Sequence, residues 1–165
     1  MYPKQFSLVI GVVSSLVASH SCAEMAIPNN PEKDRPGSVL IAEGSHSAIE
    51  SARQTVIGDK AAFAALWAEH SAHQNPVPVP PAVDFTMDSV VAVFAGNQPT
   101  GGHALALTSL EKTASGWALK LSLVAPGPDC MTTQAITQPW MMVRIPGHDL
   151  PVNIHITPVQ RDCGQ

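Results

Sequence analysis

Apolar residues are distributed along this chain in two ways. Near the start lies one uncharged block, Phe6 to Ala18 (FSLVIGVVSSLVA), preceded by five residues with one lysine and no acid. This order is that of a signal peptide, and the block is too short to cross a hydrocarbon core of about 30 Å. Ser21 and Ala23 are small residues at −3 and −1 of a cut before Glu24. The expectation is therefore a signal peptide over residues 1–23 and an exported mature chain. Two other readings stand beside it: a buried N-terminal helix, and a lipoprotein acylated on Cys22, although Ser19 occupies the position where a lipobox has Leu. Residues 24–38 are rich in Pro, Asn and charge with no apolar period, which predicts a flexible leader.

Beyond residue 38 the apolar residues come in short runs. Val39–Ala42 and Ser51–Ile57 predict two strands. Helical spacing occurs once, where Asp59 offers an N-cap and Ala62, Phe63, Leu66 and Trp67 form one stripe of a helix over 59–71. Prolines at 76, 78, 80 and 81 then forbid helix and interior strand, which predicts a stiff extended connector. From there on the pattern is β. Ser89–Ala95 (SVVAVFA) is apolar on both faces and predicts a central strand. His103–Glu111 and Gly116–Ala125 alternate around a turn at 113–116, as half-buried strands do. Further strands are expected at Thr133–Ile136, Trp140–Ile145 and Val152–Pro158. There are no internal repeats. The fold class is α+β: a mostly antiparallel, curled sheet, sandwich- or roll-like, with one helix, in a single domain spanning 39–165.

Composition narrows the function. Only 13% of the 165 residues are charged and the net charge is −4, so there is no basic face to bind nucleic acid by counterion release. Of the three cysteines, Cys22 leaves with the signal peptide or carries an acyl group, so Cys130 and Cys163 remain. In an oxidising compartment they are expected to pair, with two free buried thiols as the other reading. Membrane association is expected only if Cys22 is lipidated.

No catalytic constellation emerges. His70 and His73 are spaced to hold a metal from one helix face, but they read more simply as polar residues at the exposed end of a helix. An enzymatic or metal-binding reading needs them to converge with His103 or His148. His155 alternates with Ile154 and Ile156 and is expected to face solvent. Met87, Met131, Met141 and Met142 form no copper-type cluster and are expected to fill the core. Asp84 and Asp88 read as turn acids. Neither a Gly-x-Ser-x-Gly elbow nor a His-Glu-x-x-His helix is present. No cofactor, metal or catalytic residue is expected. The loops stand out instead. Asn97, Pro99, Thr100, Gly101, Gly102 and His103 form one Pro/Gly-shaped segment, Pro126–Cys130 a second, and Gln138, Pro139 and Trp140 a third. Prolines lower the ordering cost of docking and Trp is a common anchor. Tight turns around a core tryptophan are the plainer reading.

At these residues the chain resembles a known family. Val90–Gly96 followed by Pro99-Thr100-Gly101-Gly102-His103 looks like the core motif of the protease complex-stabilising protein family, C-terminal-domain type. Phe63, Leu66 and Trp67, the Pro81 to Phe85 turn, Pro126–Pro128 with Cys130, and Gln134–Pro139 extend the likeness over about 57–156. His103 departs from it, since the family usually carries Tyr there. The resemblance implies an exported, non-enzymatic domain whose partner is a protein, plausibly a protease. A weaker likeness, to chagasin-type cysteine peptidase inhibitors, rests on Asn97-Gln98-Pro99-Thr100-Gly101 and Gln138-Pro139-Trp140, with Gln138 where those have Arg.

Overall fold

A computed structural model describes residues 39–148 and 151–164. The expected signal peptide, the leader and Cys22 lie outside the described residues. Among the described residues, seven strands and one helix follow in the order β1 (Leu40–Gly44), β2 (Arg53–Ile57), α1 (Lys60–His70), β3 (Asp88–Phe94), β4 (Ala104–Thr113), β5 (Gly116–Pro126), β6 (Trp140–Pro146) and β7 (Val152–Arg161). They build two open sheets, of order β1-β6-β3-β2 and β4-β5-β7. All pairings are antiparallel except β5 with β7, which is parallel. This is the expected α+β class with curled, mostly antiparallel sheets.

The layers follow from side-chain alternation. Successive strand residues point to opposite faces, and in β3 and β6 both faces are covered. Val90, Ala92 and Phe94, with Trp140 and Met142, pack towards α1. Val91 and Val93, with Met141, Val143 and Ile145, pack against Leu105, Leu119 and Leu121 of the second sheet. That is why SVVAVF and WMMV carry no polar alternation. The order is helix, four-stranded sheet, three-stranded sheet.

The helix starts where expected. The Asp59 side chain accepts the Ala62 amide at 2.8 Å, the usual cap on a free first-turn N–H. Its buried stripe is Phe63, Leu66, Trp67 and His70. Two expectations are corrected here. Ala62 is exposed rather than on the stripe. His70, read as an exposed polar end, is buried at 1% exposure, because the i, i+3, i+4, i+7 row runs one turn further than the apolar residues do. His73 beyond it is exposed. The extended connector closes over the helix, where the Trp67 Nε1 donates to the Pro78 carbonyl at 2.7 Å.

Other expectations divide in the same way. Thr133–Ile136 is not a strand: all four residues are exposed, so their alternation has no core to face, and pairing here is reduced to one bridge between Gln98 and Thr137. Met141 and Met142 fill the core, whereas Met87 and Met131 are exposed. His155 faces solvent as expected, between half-buried Ile154 and Ile156. Asp84 is a turn acid: its carboxylate accepts the Thr86 hydroxyl and amide, which hold its pKa below the usual value. Asp88 pairs with Arg144 at 3.5 Å.

Candidate binding face at the loop end

Strand direction decides which loops meet. Gly44 pairs with Trp140, Phe94 with both Trp140 and Arg53, and Ala104 with Val124. The loops 45–52, 95–103 and 127–139 therefore emerge at one end of the molecule. The turns 58–59, 84–87 and 113–116 lie at the other, with Gly147 and His148.

The three loops are tied to one another. Gln98 and Thr137 exchange two backbone hydrogen bonds, of 2.8 and 3.1 Å. The Thr137 hydroxyl donates to the Thr100 carbonyl at 2.9 Å, and the Gln138 amide group donates to the Asn97 Oδ1 at 2.8 Å. The Gly101 N–H donates to the Thr133 carbonyl at 2.9 Å, the Asn97 N–H to Glu50 at 2.8 Å and the Gln138 N–H to Ser45 at 2.8 Å. Two glycines make the fit possible. Gly96 has φ +74, and a Cβ there would meet the Ala52 nitrogen at 2.7 Å. A Cβ on Gly101 would collide with the Thr133 side chain. The loop after β5 is fixed from behind by the Cys130–Cys163 disulfide, with Cα atoms 5.1 Å apart. The Gly127 N–H also donates to the Arg161 carbonyl at 2.8 Å.

Beneath the loops lies an aromatic cage. His70 sits 4.1 Å from the Trp140 ring centroid, 5.2 Å from Trp67 and 6.0 Å from Phe94. Its Nδ1 faces the Ser47 hydroxyl at 3.1 Å, its carbonyl accepts the Ala48 N–H at 2.8 Å, and its Nε2 is buried with no hydrogen-bond partner among the described residues. Burial pushes its pKa below the usual value. The Trp140 Nε1 donates to the His46 carbonyl at 2.9 Å. Helix end, sheet and loop 45–50 are thus held by one cluster.

The expected site residues do come together, with their exposures divided. Asn97, Pro99 and Gly102 are exposed, and Thr100, His103 and Gln138 are half-buried. Gly101 and Pro139 are buried, and Trp140 is only 7% exposed. The indole is a core residue and presents no ring to a partner, so the plainer reading of tight turns around a core tryptophan holds for Trp140. Two residues missed in the sequence take over as apolar surface: Met131, fully exposed, and Ile136, at 60%. The sequence predicts Met131 in the core and Ile136 in a strand, because an apolar residue carries no mark of exposure in the sequence. The contribution of loop 45–50 left no mark either.

The histidines do not gather. His103 lies at the loop end, whereas His148 stands near Gly58 at the opposite end. Among the described residues no group of three or more His, Cys, Asp or Glu is placed to hold a metal ion. No described helix is long and apolar enough to cross a membrane.

The fold and site define a class: a two-sheet, helix-covered β scaffold that displays cross-tied loops at one end. Residues 89–146, spanning β3 to β6 with two of those loops, match the family described as PrcB C-terminal. The resemblance read from Val90–His103 and Pro126–Pro139 stands over that segment. No curated protein and no solved structure matches the chain.

Proposed function

We propose that this chain is an exported, non-catalytic module that binds a protein partner, a protease or its complex, through the loop end. The observation that carries the reading is the cross-tying of loops 45–52, 95–103 and 127–139 at one end of the molecule, with Pro99, Met131 and Ile136 exposed on them. A face ordered before contact loses little entropy on docking. Exposed apolar residues rimmed by polar ones are the usual composition of a contact centre. The family match supplies the likeness to a protease-complex protein, and the disulfide suits an oxidising compartment.

The test is co-purification from the exported fraction of the natural host, with partners identified by mass. Wild type is compared with Met131→Ser/Ile136→Ser. A protease recovered by wild type and lost by the double variant is the expected result, while equal recovery of every protein by both overturns the reading. The mass of the mature N-terminus tests export, with a free Glu24 expected.

A further inference from the structure

Between α1 and β3 the chain passes through Pro76-Val77-Pro78-Val79-Pro80-Pro81. Every residue of this run is a proline or directly precedes one. The rings hold φ of the prolines at about −65°, and a residue before proline is driven out of the helical region into extended backbone. The two restrictions together leave the polyproline II helix, which turns once every three residues and makes no internal hydrogen bonds.

Exposure along the run has that period. Pro76 and Val77 are exposed, Pro78 is half-buried, Val79 and Pro80 are exposed, and Pro81 is half-buried again. Positions 78 and 81 therefore form one edge of a three-sided rod. That edge lies against the helix layer, where the Trp67 Nε1 donates to the Pro78 carbonyl. The other two edges, 76 with 79 and 77 with 80, face outward, with Val77 56% and Val79 87% exposed. No other backbone group of residues 76–81 has a hydrogen-bond partner among the described residues.

What such a rod can bind follows from what it lacks. Prolines 76, 78, 80 and 81 have no N–H, so a foreign strand finds no ladder of donors along it. Residues 76–83 carry no charge, so ion pairing is unavailable as well. The rod offers pyrrolidine and valine faces and a row of carbonyls. Aromatic rings pack on the first and their N–H or O–H groups donate to the second, which is how proteins read polyproline segments. The Trp67 hydrogen bond is one instance of that chemistry, supplied by the chain itself on one edge.

We propose that residues 76–81 are a preformed polyproline II ligand whose two outward edges seat in an aromatic-lined groove of a protein partner. Docking on the helix fixes the rod before contact, so little conformational freedom is lost on binding. Pro76 with Val77 and Val79 with Pro80 are two apolar pairs one turn apart, each filling one pocket of the groove. A second copy of this chain does not supply such a groove. Among the described residues every Phe and Trp is buried or half-buried, and Trp67 already serves its own chain. This surface is the connector over α1, distinct from the loop end, and the proposal does not rest on the loop-end reading.

The test takes the full, disulfide-intact chain with labelled valine methyls. The probes are a panel of purified SH3 and WW modules, whose grooves are of this aromatic kind. Binding is followed by fluorescence anisotropy of the module. At least one module is expected to bind, with affinity about tenfold or more lower for Val79→Asp and for Val77→Asp/Pro80→Ser. All three positions are exposed, so the fold should persist. Circular dichroism checks this, and Val79→Asp alone decides if the double variant unfolds. In the complex the Val77 and Val79 methyl signals should move to lower frequency, as protons above an aromatic ring do, while those of buried Val90 and Val93 stay in place. The proposal is overturned by a panel in which nothing binds, by a module that binds the variants as tightly as wild type, or by a complex in which the Val77 and Val79 methyls do not move. Contacts of these methyls with residues 24–38 or with a second copy, seen in the chain alone, overturn it too, because the rod is then already covered.

Discussion

Single residues decide whether the loop end is a face or a set of turns, and Trp140 is the first of them. Its ring touches Trp67 and His70, and its N–H is spent on His46. Trp140→Ala should cost about 3–5 kcal/mol in urea unfolding. Trp140→Phe, which keeps a ring and loses the hydrogen bond, should cost less. A cost near zero for the alanine variant would contradict the cage. His70 gives the second prediction. In the unfolded chain its imidazole binds a proton near pH 6.5, while burial moves the folded value lower. Between the two values the unfolded state holds more protons, so stability is complete above pH 6.5 and declines as pH falls through that window. His70→Gln should flatten this part of the stability–pH curve, and curves of equal slope would refute the assignment. Neither role was legible in the sequence. Trp140 beside Pro139 suits an anchor and a core residue equally, and a histidine at a helix end gives no sign that two rings from distant strands, Phe94 and Trp140, will join Trp67 of its own helix to enclose it.

At the scale of elements the sequence was more informative, because burial on one face or both leaves a direct trace. The half-buried strands β4, β5 and β7 alternate, and the doubly buried β3 and β6 do not. Thr133–Ile136 imitates the first pattern in a loop, where alternation is accidental, and only the missing neighbouring strand exposes it. What alternation cannot show is partnership, so the parallel pairing of β7 with β5 was not readable. That pairing places Arg161 beside Pro126 and brings Cys163 to Cys130. The bridge closes a separation of 33 residues. Cys130→Ser/Cys163→Ser should therefore lower stability by about 3–4 kcal/mol. A shift in thermal midpoint on reduction of the wild type, absent in the double variant, measures it. An unchanged midpoint would show that the tail is held by β7 alone.

At the scale of the whole molecule, the loops share an end because the seven described strands are ordered in two sheets, and no local pattern states that order. Sequence motifs marked segments 97–103 and 138–140. Topology added 45–52, moved the surface role from Trp140 to Met131 and Ile136, and separated His103 from His148. The double burial of β3 and β6 has a consequence for the chain before it folds. Val90–Phe94 and Trp140–Val143 are then two uncharged apolar stretches of high β tendency with nothing to cover them. Such windows template intermolecular cross-β stacking. The strands that give the native protein its centre are thus its main aggregation hazard, and dilute refolding should return more soluble protein than concentrated refolding.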